Sequence, residues 1–112
     1  MDALTPDYDA PLYGIGVAAT MAGMHQQTLR QYDRLGLVVP MRTAGQTRYY
    51  SLRDIARLQE IAALSAEGVN LIGIARILAL ETENTRLRQR LAELTQQTNS
   101  TALVVWRPHR RA

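Results

Sequence analysis

Residues 17–36 read Val17-Ala18-Ala19-Thr20-Met21-Ala22-Gly23-Met24-His25-Gln26-Gln27-Thr28-Leu29-Arg30-Gln31-Tyr32-Asp33-Arg34-Leu35-Gly36. Two short helical segments flank Gly23-Met24-His25, and each closes on a glycine, a favoured residue at a helix C-terminus. Helical spacing starts near Ile15 to Val17, so residues 17–22 form a short first helix closed by Gly23, and the second covers about 26–35. Two helices joined by a tight glycine-containing turn form a helix-turn-helix. In that arrangement the second helix enters the major groove of DNA with its N-terminal residues near the base edges. Here those are Gln26, Gln27 and Thr28, with Arg30 and Gln31 one turn later. Glutamine pairs bidentately with adenine and arginine with guanine, and threonine can meet a thymine methyl or a phosphate. His25 reads as the residue that starts the helix and Leu29 as core. Tyr32 reads as a ring packed under the helix.

Downstream, Leu37-Val38-Val39-Pro40 is extended and apolar, and residues 42–50 follow as a polar turn with an arginine on each side. Gly45 sits where a loop tip belongs, so 42–50 reads as a β-hairpin wing. Arg42 and Arg48 would straddle the flanking DNA backbone or minor groove, serving register and affinity, with Tyr49 beside them. Ser51 with Asp54 three residues on is a capping-box variant that starts a third helix, running to about Glu67 and ended by Gly68. Arg53, near the start of that helix, is a further candidate for a phosphate, and Arg57 reads as a solvated residue.

Asn70 caps the last helix. Ile77, Leu80, Asn84, Leu87, Leu91 and Leu94 are spaced three and four residues apart in alternation, the seam of a coiled coil, with arginines and glutamates flanking it. Such a row would leave leucines in water unless it meets a partner helix or folds back on its own domain. Asn84 costs stability in the seam but can fix register and partner number. A 3-4 seam suits parallel and antiparallel pairing alike.

Composition narrows the class. The chain has 112 residues, no cysteine and no lysine, and all 13 basic residues are arginine. Disulfides, thiolate metal sites, P-loop and Schiff-base lysines are therefore excluded, and no carboxylate pair lies beside a histidine, so an enzyme is not expected. With His25 and His109 far apart, neither a metal nor another cofactor is expected. Aromatics are five Tyr and one Trp with no Phe, which predicts an aliphatic core. The net charge of +3 is unevenly spread: residues 13–58 hold six arginines and two aspartates, while Asp2, Asp7 and Asp9 make the first twelve acidic. A basic patch on a small domain suits a polyanion, though charge alone fits a solvated face as well. No stretch approaches the ~18 apolar residues of a membrane span, and the N-terminus lacks the pattern of a signal peptide. A cytoplasmic, nucleoid-associated protein is the expectation.

Several runs carry a family resemblance across about 66 residues. They are residues 28–37, then Arg48-Tyr49-Tyr50-Ser51 with Asp54-Ile55, then Gly68-Val69-Asn70-Leu71 with Ile74. In order and spacing these resemble the winged-helix domain of mercury-resistance-type (MerR-type) regulators. Residues 23–30, Arg42-Thr43-Ala44-Gly45 and the tail around Trp106 are most similar to the heat-shock-repressor (HspR-type) branch of that family. The resemblance implies a homodimer joined by an antiparallel coiled coil, an inverted-repeat operator, repression of chaperone genes and a DnaK-type chaperone as co-repressor. It also implies backbone-contacting roles for Arg30 and Tyr32. One departure is Gln31, where many members have Tyr, which puts one backbone contact in doubt.

The expected architecture is thus mainly α. It comprises a flexible acidic arm (1–12), a winged helix-turn-helix domain (13–78), a coiled-coil dimerisation helix (77–97) and a flexible tail (98–112). In the tail, Leu103, Val104, Val105 and Trp106 with flanking arginines suit a DnaK-type chaperone, which holds extended apolar-plus-basic peptides, and equally suit a clamp on the dimer. Competing readings are a MerR-type activator of other genes, a recombination directionality factor and a coiled-coil adaptor. Only about 15 residues follow the seam, too few for an effector pocket. The long seam is superfluous to a directionality factor, and the wing is superfluous to an adaptor.

Overall fold

The computed structural model describes residues 7–102, and the tail segment 103–106 lies outside the described residues. The chain forms two compact units, Met1–Ala75 and Arg76–Ala112. In the first, a short strand β1 (Tyr13–Gly14) leads into α1 (Ile15–Ala22) and α2 (Gln26–Leu35). The hairpin β2 (Met41–Arg42) and β3 (Arg48–Tyr50) follows, then α3 (Leu52–Ala66), and α4 (Leu71–Ala102) begins in this unit.

Helix ends follow from local chemistry. Gly23 and Gly36 hold φ of 70° and 76°, left-handed values that glycine takes without a Cβ penalty. At the start of α3 the Ser51 hydroxyl accepts the Asp54 N–H at 3.0 Å and the Asp54 carboxylate accepts the Ser51 N–H at 2.9 Å, a complete capping box. The Asn70 side-chain carbonyl accepts the Gly73 N–H at 2.8 Å and starts α4.

Alanines line the inner face of α1. Ala18, Ala19 and Ala22 are buried, which lets its backbone lie close to α2, α3 and β3. Leu29 from α2, Val38, and Ile55, Leu58 and Ile61 from α3 are buried as well, as are Ile74 and Leu78 on α4. The expectation of a purely aliphatic core is corrected by Tyr50, the largest fully buried side chain of those described. Strand alternation is the cause: in β3 residues 48 and 50 share one face, and that face meets the helices. The Tyr50 hydroxyl has no hydrogen-bond partner among the described residues, and burial pushes its pKa up.

The sheet order is β1-β3-β2, antiparallel throughout, with Tyr13 opposite Tyr50 and Arg42 opposite Arg48. Strand β1 was not foreseen; two residues give no alternation to read. In the hairpin, the Thr43 N–H donates to the Thr47 carbonyl and the Gln46 N–H to the Thr43 carbonyl. This is a three-residue loop built on a tight turn, and its third position needs a left-handed residue. Gln46 occupies that position with φ of 68°, while Gly45, the expected tip glycine, does not.

Residues 7–12, expected to belong to a flexible arm, dock on α3. The Tyr8 carbonyl accepts the Arg53 N–H at 3.0 Å, one of the donors that a helix's first turn leaves free. The Arg53 guanidinium pairs with Asp9 and lies 4.7 Å from the Tyr8 ring centroid.

Within the second unit α4 is continuous. The helix runs past 97 to Ala102, so residues 98–102, expected to open a flexible tail, are helical, because neither glycine nor proline interrupts them. Along its seam Leu80, Leu87, Leu91 and Leu94 are 68, 51, 64 and 44% exposed.

Two outcomes are expected. Tyr50→Phe removes an unpartnered buried hydroxyl and should leave Tm unchanged or higher, whereas Tyr50→Ala should cost about 3–5 kcal/mol in urea unfolding. Gln46→Gly relieves a left-handed non-glycine and should raise stability by about 1 kcal/mol on the same measurement.

Candidate nucleic-acid interface

Helix α2 is amphipathic to an extreme. Leu29 is its one buried residue, fully enclosed, and Tyr32 and Asp33 follow at helical spacing, half-buried, on the same side. The opposite side carries Gln27, Gln31 and Arg34 at i, i+4 and i+7, all exposed. A helix of ten residues with one core anchor has its outer face free for a partner. Thr28 is half-buried beside the anchor.

The polar side chains on this face are already organised. Arg30 donates from Nη1 to Gln27 Oε1 at 3.2 Å and from Nη2 to Gln26 Oε1 at 3.4 Å. Both glutamine carbonyls therefore turn toward the arginine, and their amide N–H groups are left to donate elsewhere. Gln31 sits one turn further along the exposed side.

The wing joins this helix through one carboxylate. Asp33 Oδ2 accepts from Arg48 Nε at 2.8 Å and from Arg42 Nη2. The Asp33 side chain is only 6% exposed, and those of Arg42 and Arg48 are 39 and 22% exposed. Because Arg42 and Arg48 face each other across the hairpin, a single oxygen grips both strands. Burial works to raise the Asp33 pKa, but the hydrogen bonds from Arg42 and Arg48 outweigh it, and the carboxyl is held below its usual range. One carboxylate does not neutralise two guanidiniums, so the cluster keeps a net positive charge at the edge of α2.

The other expected contacts lie apart from this cluster. Tyr49, between Arg48 and Tyr50, belongs to the opposite face of the sheet by alternation, across from Gly14 and Met41. Arg53 is at the start of α3, its charge offset by Asp9, whose pKa the Arg53 hydrogen bond lowers. That pair is exposed at both ends, so salt screens it and a phosphate can compete for the arginine. Sequence reading passed over Asp33 altogether. The available signal was one acid inside a run of Arg30, Arg34, Arg42 and Arg48. Among the described residues no group of three His, Asp or Glu side chains could hold a metal ion.

The family profile described as MerR HTH family regulatory protein matches residues 13–81, spanning both helices of the motif, the wing, α3 and the start of α4. The chain belongs to this family. MerR-family regulators are DNA-binding transcription regulators, which are not enzymes. The chain is similar to a Streptomyces coelicolor protein provisionally described as heat shock protein HspR, 46% identical over 135 aligned positions that cover 92% of this chain and 88% of that one. It is also similar to the HTH-type transcriptional regulator GlnR of Bacillus anthracis, 33% identical over 84% of this chain and 72% of the relative. Among solved structures, the HTH-type transcriptional regulator SkgA from Caulobacter crescentus superposes with a TM-score of 0.55 at 29% identity, over 84% of this chain and 72% of that one. A MerR-family transcriptional regulator from Bacillus cereus shares the fold at 22% identity and a TM-score of 0.56, over 86% and 87% of the two chains.

The Asp33 cluster makes this MerR domain acid-sensitive in a defined way. A carboxylate whose folded pKa is depressed stabilises above its unfolded value, near 3.9, and loses that contribution as pH falls through the folded value. Urea midpoints of wild type and Asp33→Asn are expected to differ by a constant amount from pH 6 down to about pH 4, and to converge only as pH falls further, through the folded value. A gap that stays constant below about pH 4, or that closes above it, would contradict the assignment.

Proposed function

We propose that this protein is a homodimeric repressor that binds an inverted-repeat operator and controls heat-shock and chaperone genes, with a DnaK-type chaperone as co-repressor. The observation that carries the DNA-reading part is α2 itself: one buried anchor, an exposed row of Gln27, Gln31 and Arg34, and wing arginines bound to the same helix. Gln26, Gln27, Arg30 and Gln31 are assigned to base edges, with Thr28 and Tyr32 flanking them. Arg42 and Arg48 are assigned to phosphates, and Arg53 joins them when it exchanges Asp9 for the backbone. Tyr49 is assigned to the flank of the wing.

MerR-family regulators typically act as dimers, and the exposed leucines of α4 support that state here. Leu80, Leu87, Leu91 and Leu94 present an apolar row to water, which a second copy would cover. Ile77 and Asn84 complete the proposed seam, with Asn84 selecting register; in the single chain its side-chain oxygen accepts Arg88 Nε at 2.6 Å. Pairing is assigned as antiparallel from the family resemblance. One domain reads a few bases, and two held at a set distance read a symmetric site.

The heat-shock assignment rests on the similarity to the Streptomyces coelicolor protein provisionally named HspR. Under this reading Leu103, Val104, Val105 and Trp106 are the chaperone's peptide, and heat releases the repressor by drawing the chaperone to unfolded proteins. Kinship with GlnR favours a second reading, a regulator of the same mechanism acting on other genes.

Selection from a random DNA pool at about 150 mM salt, a near-physiological ionic strength, is expected to enrich an inverted repeat with matches upstream of chaperone genes. On that site log affinity should fall with log salt at a slope near −7 if about eight phosphates are neutralised. Arg48→Gln should lower the slope's magnitude by about 1 and Gln27→Ala should relax base preference. Enrichment of a site found only before other genes would favour the second reading, and no enrichment would overturn both. Removal of residues 103–112 should abolish the chaperone's effect on DNA binding without lowering Tm.

A further inference from the structure

Asp33 is an unusual companion to Leu29, the one apolar side chain that α2 encloses. Its side chain is 6% exposed, and a charge so placed must be paired. Both of its partners come from the wing, and they come from opposite strands at facing positions, Arg42 with Arg48. The wing's own hydrogen bonding is slight: its strands have two and three residues, and hairpins of that size are marginal alone. Pairing with β1 fixes β3 at its root, and what is left to set is where the two arginine side chains are held relative to α2.

The arginines are not used up by this anchor. Arginine has five donors. Arg48 gives Nε to Asp33, and its two Nη groups have no partner among the described residues. Arg42 gives Nη2 to Asp33 and Nη1 to Gln46 at 3.4 Å, and its side chain is still 39% exposed. Each guanidinium is thus held at its root while donors remain for an oxyanion outside. Two guanidiniums on one carboxylate leave one positive charge in excess, the condition for attracting a phosphate without the helix being repelled.

We propose that Asp33 is a positioning residue that sets sequence specificity: by holding Arg42 and Arg48 at a fixed offset from the outer face of α2, it allows phosphate contact only when the helix is in register with its bases. This rests on the DNA-reading function proposed above. Phosphate contacts orient a protein on the duplex, and base contacts specify. The two cooperate only if the distance between them is rigid. An arginine freed from Asp33 has a long flexible stem and reaches a phosphate in many registers, so it favours every site alike. Loss of the Asp33 charge adds to that general attraction. The helix's own readers, Gln26, Gln27 and Arg30, are untouched by the change.

The test compares wild type, Asp33→Asn, Arg42→Gln/Arg48→Gln and the triple variant on the selected operator and on a scrambled duplex, at two salt concentrations. For Asp33→Asn, binding to the scrambled duplex should be equal or tighter and binding to the operator weaker. The ratio of the two should fall about tenfold, the scale of one lost base contact. In the Arg42→Gln/Arg48→Gln background the same change should leave the ratio unaltered, because Asp33 then has nothing to position. Melting curves establish that each variant is folded at the assay temperature. If Asp33→Asn is not, Asp33→Glu replaces it, keeping the charge but moving the anchor by one methylene, with the same fall in ratio expected. An unchanged ratio in the folded variant, an equal gain on both duplexes, or an effect that persists without the two arginines would each overturn the proposal while leaving DNA reading intact. A wild-type protein with no preferred site would overturn both.

Discussion

The hydrogen bonds from two wing arginines to the Asp33 carboxylate connect parts of this domain that the chain itself leaves loosely joined. Helix α2 is held by Leu29 and by its packing on α1, and the wing is held by β3 between β1 and β2. Asp33 spans from one to the other, nine residues to Arg42 and fifteen to Arg48. Burying a carboxylate is unfavourable unless its charge is met, and here it is met twice. The geometry of the basic surface therefore follows from the desolvation of one acid.

A second constraint governs α4. An isolated long helix is stabilised in water chiefly by what covers its apolar stripe. Pairs such as Glu83 with Arg86, at 2.7 Å, and Asn84 with Arg88 support the helix along its length, but they are exposed and do nothing to cover leucines. The domain is small, its core rests on about a dozen side chains, and small domains commonly gain stability by association. Under the proposed function, dimerisation and reading of a symmetric DNA site would come from the same row of residues.

Much of this was legible from spacing alone. The ends of α2, the capping box at Ser51 and Asp54, and the cap at Asn70 each depend on backbone groups within four residues, so local sequence suffices to place them. The exposed face of α2 was legible for the same reason, since helical period assigns a face. What escaped notice depends on contacts distant in sequence. Strand β1 is two residues that pair with a strand some 35 positions on; Asp9 meets Arg53 from 44 positions away. Gln46 differs in that its contacts are local: the register of Thr43 with Thr47 fixes which loop residue must turn, and that residue is not the glycine.

Sequence by itself determined the helix-turn-helix, the existence of a wing, the apolar row on the last helix and the exclusion of cysteine and lysine chemistry. Periodicity, capping and composition are local properties, and they survive without knowledge of the fold. Tertiary structure alone decided which arginines are free and which are engaged. Arg42 and Arg48 are bound to α2, Arg53 is bound to Asp9, Tyr49 is turned to the other face and Tyr50 is enclosed. Charge and ring positions depend on which partner arrives from elsewhere in the chain, and burial, which sets the cost of leaving a charge unpaired, exists only once the chain has folded.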